Sequence, residues 1–465
     1  MKNFFKLLLL ITITTFNFIF YPNDLLAQRT TPPGSTAELK LYKPDKAYNG
    51  YTYFSIMDPF NPRTILVDME GKEVHSWPLG GVPSKMLPGG SLIGAQGISI
   101  SGVDAISVVQ VGWDGEVEWK FNRWEEVTNV DGNKVWAARQ HHDLQREGNP
   151  VGYYAPGLEP LVDGGKTLIL AHSTVQAKEI SDNMLTDDVI YEVDWKGNII
   201  KKENGGFFWR ASDHFDEMGF DDAAKEDIRR TASRGRRAVG AGVDWLHTNS
   251  ASYLGPNKWF DGGDERFHPE NVIMDSRNAN FIAIISRKTG EIVWRVGPDF
   301  SPGNPEHKLG QIIGQHHAHM IPKGLPGEGN ILVLDNGGIG GYGDSKLRAY
   351  SRVLEFNPVT MEIVWEYSDR TGLDLPFSRK NQRFFTPFIG SAQRLPNGNT
   401  LITEGATGTL IEVTKDKEIV WEYISPYVAS VAQVLPVPLP APPIINAVYR
   451  AYRVPEDWLP ANWNR

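Results

Sequence analysis

No cysteine occurs among the 465 residues, which excludes disulfides, thiolate metal sites and thiol nucleophiles. An excess of positive charge is also missing. Lys and Arg total 47 against 56 Asp and Glu, a formal net charge of −9, so neither a nucleic-acid partner nor attachment to an anionic membrane surface is expected. Any anion bound by this chain needs a local cationic pocket. Beyond the first two dozen residues there is no apolar run long enough to span a bilayer. Apolar and aromatic material is plentiful: 41% of residues are hydrophobic, with 14 Trp, 16 Tyr and 21 Phe, which excludes a disordered chain and provides for a large core. At about 150 residues per domain, the length corresponds to roughly three ordinary domains or one large repeat-built domain.

The one long apolar stretch, Leu7 to Phe20, follows Lys2 and Lys6 and precedes Asn23, Asp24 and Ala27. This is the layout of a secretory signal. Residues 1–27 are expected to be a cleaved signal peptide, 28–50 an N-terminal linker and 51–465 a single large domain of a periplasmic or secreted protein, with no stable membrane insertion after cleavage. The alternative is an uncleaved anchor, because Phe4 to Tyr21 approaches spanning length.

A unit of alternating apolar residues around a tight polar turn, usually ending in Trp, recurs six times. It reads ILVDMEGKEVHSW to Trp77, VVQVGWDGEVEW to Trp119, IYEVDWKGNIIK to Lys201, FIAIISRKTGEIVW to Trp294, RVLEFNPVTMEIVW to Trp365 and TLIEVTKDKEIVW to Trp421. Period-two alternation around EGK, DGE, KGN and TGE turns is the signature of antiparallel hairpins. Most copies are followed by a second hairpin pattern, as in SKMLPGGSLIGAQG and SAQRLPNGNTLITEG. Two hairpins per repeat, with a repeat of about 69 residues, predict an all-β fold, a six-bladed β-propeller with long inserts. The ring is expected to be closed by the N- and C-terminal segments, with INAVYRAYRV around 447–454 completing the first blade and the Pro-rich 434–443 as connector. Residues 202–243 read as a polar, helical insert over one face.

In a propeller the residue opening the innermost strand of each blade lies near the axis. Aligning the repeats places His142, His247, His317 and Ser391 at equivalent openings. Arg277 then falls close to His247 and Asn249, and Asn336 close to His317. A planar guanidinium fork, imidazoles and neutral amides together suit a tetrahedral oxyanion such as sulfate, phosphate or a sulfuryl group in transfer. A three-histidine metal site is the rival, disfavoured because no Asp or Glu occupies the aligned positions. No metal and no cofactor is expected.

The segments DWLHTNS, MDSRNAN, GQHHAHMIP with VLDNGG, LPNGNTLITEG and NAVYRAYR together resemble the bacterial aryl sulfate sulfotransferase family, a six-bladed propeller fold. The resemblance runs from about Tyr51 to Val454. It implies a catalytic domain that transfers a sulfuryl group from a phenolic sulfate donor to a phenol acceptor through a sulfohistidine, by a ping-pong mechanism and without a nucleotide sulfate. By motif position, His317 matches the nucleophile, His247 and Asn249 the HxN element, Arg277 the sulfate-binding arginine and His142 a further funnel histidine. His316 and His319 flank the nucleophile position; on an extended strand His316 and His317 face opposite ways, so only one enters the funnel. The chain departs from the family pattern in having Asn278, where His is expected, and in having no cysteine. Trp245, Phe267, Phe385 and Phe388 are candidates for stacking on an aryl ring.

Two motif-like segments carry no chemistry. GGKT at 164–167 lacks the first glycine of a phosphate loop, the residue there being Pro160, and DNGGIGGYGD at 335–344 lacks the Glu of a calcium loop. Two other functions fit the same cup: a non-catalytic exported propeller binding a sulfated or phenolic ligand, and an aryl sulfate hydrolase.

Overall fold

The computed structural model of the protein describes residues 38–58, 61–98, 104–129, 132–231, 242–344, 346–369, 384–427, 429–430 and 444–463. The expected signal peptide, 1–27, and the Pro-rich connector, 434–443, lie outside them.

The hairpins form where the turn chemistry demands them. At the first, Asp68 Oδ1 accepts the Lys72 N–H at 2.8 Å while Gly71 takes φ 79°, a conformation that only a residue without Cβ adopts at no steric cost. Apolar residues alternate outward from such turns, and the resulting strands assemble into antiparallel sheets with buried faces.

Four of these sheets are discrete blades. The first orders Val448–Val454, Tyr51–Ile56, Thr64–Val67 and Glu73–Trp77, so the C-terminal strand pairs with the first repeat, Tyr51 opposite Val454. The second orders Thr248–Tyr253, Val272–Ser276, Phe281–Ile285 and Ile292–Val296. The third orders His316–Met320, Ile331–Asp335, Arg352–Phe356 and Ile363–Ser368. The fourth runs from Ser391–Arg394 through Thr400–Glu404 and Thr409–Val413 to Ile419–Ile424, where Glu38–Tyr42, within the stretch expected as a linker, adds a fifth strand.

The expected six-bladed closed propeller is corrected by the remaining strands, which do not separate into two further blades. Gln140 pairs with Ala105 and His141 with Asp104, and the Gln140 amide donates to the Ala105 carbonyl at 2.6 Å. This ladder fuses two hairpin groups into one open, nine-stranded sheet. The protein is thus a β-propeller of four discrete open blades beside one continuous sheet. The sequence repeat reports hairpins; whether neighbouring hairpins also share a ladder is decided by two residue pairs that carry no periodic signal.

Indole groups fasten consecutive blades. Trp294 Nε1 donates to Pro358 O at 2.8 Å, Trp365 Nε1 to Lys415 O at 2.9 Å and Trp421 Nε1 to Met69 O at 2.9 Å, each reaching the turn of the next sheet. Residues 202–243 contain a short strand, Phe208–Arg210, a 3-10 segment, Ala211–Met218, and an α-helix, Asp222–Thr231. Phe215, Phe220 and Ile228 from this stretch share an apolar cluster with Trp245, two residues from His247. Among the described residues no helix is long and apolar enough to cross a membrane.

Candidate active site

At or beside the start of three strands lies a histidine in the left-handed region: His142 at φ 51°, His247 at 53° and His317 at 58°. Positive φ is uncommon outside glycine. Here it coincides with register shifts after Gln140, Thr248 and His316, and bulges of this kind re-aim the side chains around them. The equivalence of the three openings is therefore a backbone fact.

At two of them the rings meet. The His142 and His247 imidazoles lie edge to face with centroids 4.7 Å apart. His142 is buried, and its Nδ1 is 2.7 Å from His141 Nδ1; His247 keeps 21% of its side chain exposed and binds Asp244 Oδ2 at 2.5 Å. Arg277, half-buried, donates its backbone N–H to His247 O at 3.2 Å and an Nη1–H to Asn278 Oδ1 at 3.3 Å, while Asn278 Nδ2 donates to Asp244 O. Asn278 thus anchors the guanidinium.

His317 is not the third member of this group. Its Nδ1 lies 3.1 Å from Ala392 O and its Nε2 3.4 Å from Tyr452 OH, with the His319 ring 4.4 Å away. His316 takes the place instead. Its Nδ1 faces two oxygens, Asn336 Oδ1 at 2.8 Å and Gly314 O at 3.1 Å, so the proton sits on Nδ1 and the lone pair on Nε2, which accepts a long hydrogen bond from the Ile389 N–H at 3.3 Å. Asn336 is itself fixed by donating to Thr386 O and Ile389 O. The physical reason for the exchange is the left-handed kink at His317, which breaks the simple alternation of an extended strand.

Burial, reinforced by the positive charge of Arg277, holds His316 well below the usual imidazole pKa. Burial, with His247 and His141 as the next causes, does the same to His142. Both rings are neutral at neutral pH. Burial opposes ionisation of Asp244, but the imidazoles of His247 and then His172 outweigh it and hold this carboxyl well below its ordinary range.

Asn249 is fully buried. Its Nδ2 donates to Gln315 O at 2.8 Å and its backbone carbonyl accepts from Arg450 Nη2 at 2.6 Å, so it ties the strand opening of His247 to that of His316. Trp245 and Phe267 are also buried and belong to apolar clusters, whereas Phe385 and Phe388 are half-buried, with Phe388 packed beside Tyr449. Tyr449 lies 5.9 Å from the His142 ring and 6.5 Å from the His316 ring.

The site thus gathers one guanidinium and three imidazoles, with His247 and Arg277 partly exposed, on a propeller scaffold. The sequence pattern of the family Arylsulfotransferase (ASST) matches residues 161–430, more than half of the chain, and the chain belongs to this family. It is accordingly an enzyme of the sulfotransferase family with a small phenolic or sulfate-type substrate. No curated relative matches the chain. Similar solved structures include a protein of unknown function from Bacteroides caccae, 11% identical, covering 88% of this chain and 100% of that chain with a TM-score of 0.40. Others are apo AztD from Citrobacter koseri, 10% identical with 88% and 98% covered and a TM-score of 0.34, and virginiamycin B lyase from Staphylococcus aureus, 10% identical with 84% and 89% covered and a TM-score of 0.33. At these scores none bears on substrate.

Proposed function

We propose that the protein moves a sulfuryl group from a phenolic sulfate ester to a second phenol by a ping-pong mechanism, with a sulfohistidine on His316 and no nucleotide sulfate. The observation carrying this reading is the His316 ring, pinned by Asn336 through Nδ1–H so that a neutral Nε2 lone pair remains in the field of Arg277. That lone pair attacks sulfur; the S–O bond to the aryl group breaks, and the phenoxide leaves with its electron pair and takes a proton from His247, which is paired with Asp244, while His142, kept neutral by burial, serves as a proton acceptor only. The acceptor phenol oxygen then attacks sulfur, the N–S bond breaks, and the acceptor proton passes to His247 or His142. Arg277 compensates the charge on the sulfuryl oxygens in both steps, assisted by Asn249 through its hold on the two strands, so most of the acceleration comes from positioning and charge stabilisation. The resemblance assigns the nucleophile to His317; the positive charge of Arg277 beside His316, which His317 does not face, supports its neighbour.

The test is release of nitrophenol from 4-nitrophenyl sulfate by the full chain with and without added phenol. Phenol-dependent release, with a sulfuryl adduct on the peptide carrying His316 when phenol is omitted, is expected. Release at the same rate without phenol indicates a hydrolase, and no release from any aryl sulfate indicates a binding protein. We also read the protein as exported to the periplasm or medium; N-terminal sequencing of the mature chain near Gln28 supports this, and retention of residues 1–27 overturns it.

A further inference from the structure

In the nine-stranded sheet a line of polar groups ends on His142. His141 Nδ1 lies 2.7 Å from His142 Nδ1, and the second nitrogen of the same ring, Nε2, lies 3.1 Å from Asp188 Oδ1. The His172 ring stacks on His141, with centroids 3.6 Å apart and 16° between planes, so the plane of His141 is clamped and its two nitrogens stay aimed at these neighbours. His172 is held in turn. It lies opposite Asp188 in the strand ladder, and its Nδ1 binds Asp104 Oδ1 at 2.7 Å. His141, His172 and Asp188 are buried, with exposures of 4%, 0% and 1%.

These contacts decide where the protons are. Burial holds both His141 and His142 below the ordinary imidazole pKa, so each ring is neutral and carries one proton. Two neutral rings meeting nitrogen to nitrogen share one N–H, which either ring can supply. Were His141 to supply it, the His141 Nε2 lone pair would face a carboxylate oxygen at 3.1 Å, in a buried setting where such repulsion is little screened. With the proton on Nε2 the same contact is attractive, although Nε2 and Asp188 Oδ1 lie off the line of a full hydrogen bond. His141 Nδ1 then accepts, and the shared proton belongs to His142 Nδ1. Asp188 is kept from turning away, because its other oxygen, Oδ2, accepts the Thr248 N–H at 2.8 Å. His142 Nε2 makes no hydrogen bond among the described residues and is not sealed from solvent, so its lone pair is free for a ligand.

We propose that Asp188 and His141 are positioning residues that hold His142 in the Nδ1–H tautomer, leaving its Nε2 as the base that takes the proton of the acceptor phenol. The proton transfer rests on the proposed sulfuryl transfer; the tautomer does not. As the acceptor oxygen bonds to sulfur, the His316 N–S bond breaks and its electron pair returns to His316 Nε2. The acceptor O–H proton moves to His142 Nε2, and the imidazolium so formed passes a proton to the adjoining His247, which gave one up to the departing phenoxide in the first step. Every ring thus returns to its starting state. The transient charge on His142 is stabilised through Nδ1–H and His141 by the Asp188 carboxylate.

The histidine rings of the full chain are labelled with a heavy nitrogen isotope and read by long-range proton–nitrogen correlation NMR, which separates the two neutral tautomers. The His142 signals are assigned by their loss in His142→Gln. The unaltered chain is expected to show the His142 proton on Nδ1. In Asp188→Asn the amide oxygen stays on the Thr248 N–H and the amide NH2 faces His141 Nε2, so the line of donors reverses and the proton moves to His142 Nε2. The same substitution is expected to slow phenol-dependent turnover of 4-nitrophenyl sulfate roughly a hundredfold and to lower the nitrophenol burst without phenol by less than about threefold. An acceptor phenol already ionised at the assay pH needs no base and is expected to restore most of the loss. A His142 proton on Nε2 in the unaltered chain, a tautomer unmoved by the substitution, or a loss that the ionised acceptor does not relieve overturns the proposal. Should Asp188→Asn fail to fold, the spectrum of the unaltered chain decides alone. The NMR readout is independent of activity: an unaltered chain with no burst overturns the sulfohistidine and leaves the tautomer standing, so the two failures are told apart.

Discussion

Two groups of imidazoles meet at the strand His316–Met320 and differ in what surrounds their rings. His317 and His319 spend both nitrogens on protein partners: His317 on Ala392 O and Tyr452 OH, and His319 on His317 O at 2.9 Å and Tyr153 OH at 2.9 Å. Beside them Lys85 and Arg450 close on Asp143 at 2.6 and 3.1 Å, all three fully enclosed. His316 also engages both nitrogens, its Nε2 accepting the Ile389 N–H at 3.3 Å, but it lies in the field of Arg277, and His247 and Arg277 reach solvent. His142, His247 and His317 share the same left-handed backbone. Equivalent backbone therefore does not make equivalent chemistry. The His316 and His317 rings both have partners on both nitrogens; what sets His316 apart is the field of the Arg277 guanidinium and the partly exposed neighbours around it.

The sharpest way to break the comparison is to exchange the neighbours. His316→Asn is expected to lower kcat/KM for 4-nitrophenyl sulfate with phenol by about 10⁴-fold, while His317→Asn costs less than about tenfold. The reverse order inverts the assignment of the two groups. Next in size is the enclosed charge cluster. Asp143→Asn leaves Lys85 and Arg450 without their carboxylate, and urea unfolding is expected to show a loss of about 3–5 kcal/mol, the usual consequence of breaking a buried ion pair. A loss under about 1 kcal/mol would mean that the cluster does not hold the His317 and His319 group together.

The smallest effect concerns pH. Burial, with Arg450 and Lys85 as cationic neighbours, brings His319 down to about 4 from an ordinary value of 6.5. Its folded pKa lies below its unfolded one, so its contribution is complete above about pH 6.5 and is lost as pH falls toward 4. Asp275, raised by burial to about 7, works in the opposite direction over the same interval, so the informative quantity is a difference between variants. Between pH 7 and pH 5 the stability of His319→Gln is expected to decline by about 2 kcal/mol less than that of the unaltered chain. Parallel pH profiles would show that the ring titrates normally in the folded protein.

Much of this architecture was legible because its causes are local. Asp and Gly at the turns and alternating apolar residues on either side mark the hairpins, and the recurrent Trp marks where one sheet is fastened to the next. Repeat alignment also found His142, His247 and Arg277, which the fold brings together. It missed the ladder of Gln140 and His141 onto Ala105 and Asp104, since pairing between neighbouring hairpins leaves no period in the sequence. Its choice between His316 and His317 leaned on strict alternation, which does not hold where a residue adopts positive φ. The pairing of His172 with Asp188 left no trace for a related reason: it is a cross-strand register, visible only once TLILAHSTV is laid against LTDDVIYEV.

The pairing of Val448–Val454 with Tyr51–Ile56 also governs how the polypeptide reaches its native state. These strands are separated by most of the chain, and while the ribosome is still at work the first sheet lacks the edge that its C-terminal neighbour provides. Closing so large a loop is entropically unfavourable and can occur only after residues 448–454 have been translated. Biogenesis is therefore expected to be post-translational in its last step: a nascent chain remains incompletely folded until its tail emerges, and removing that tail unravels the head of the molecule.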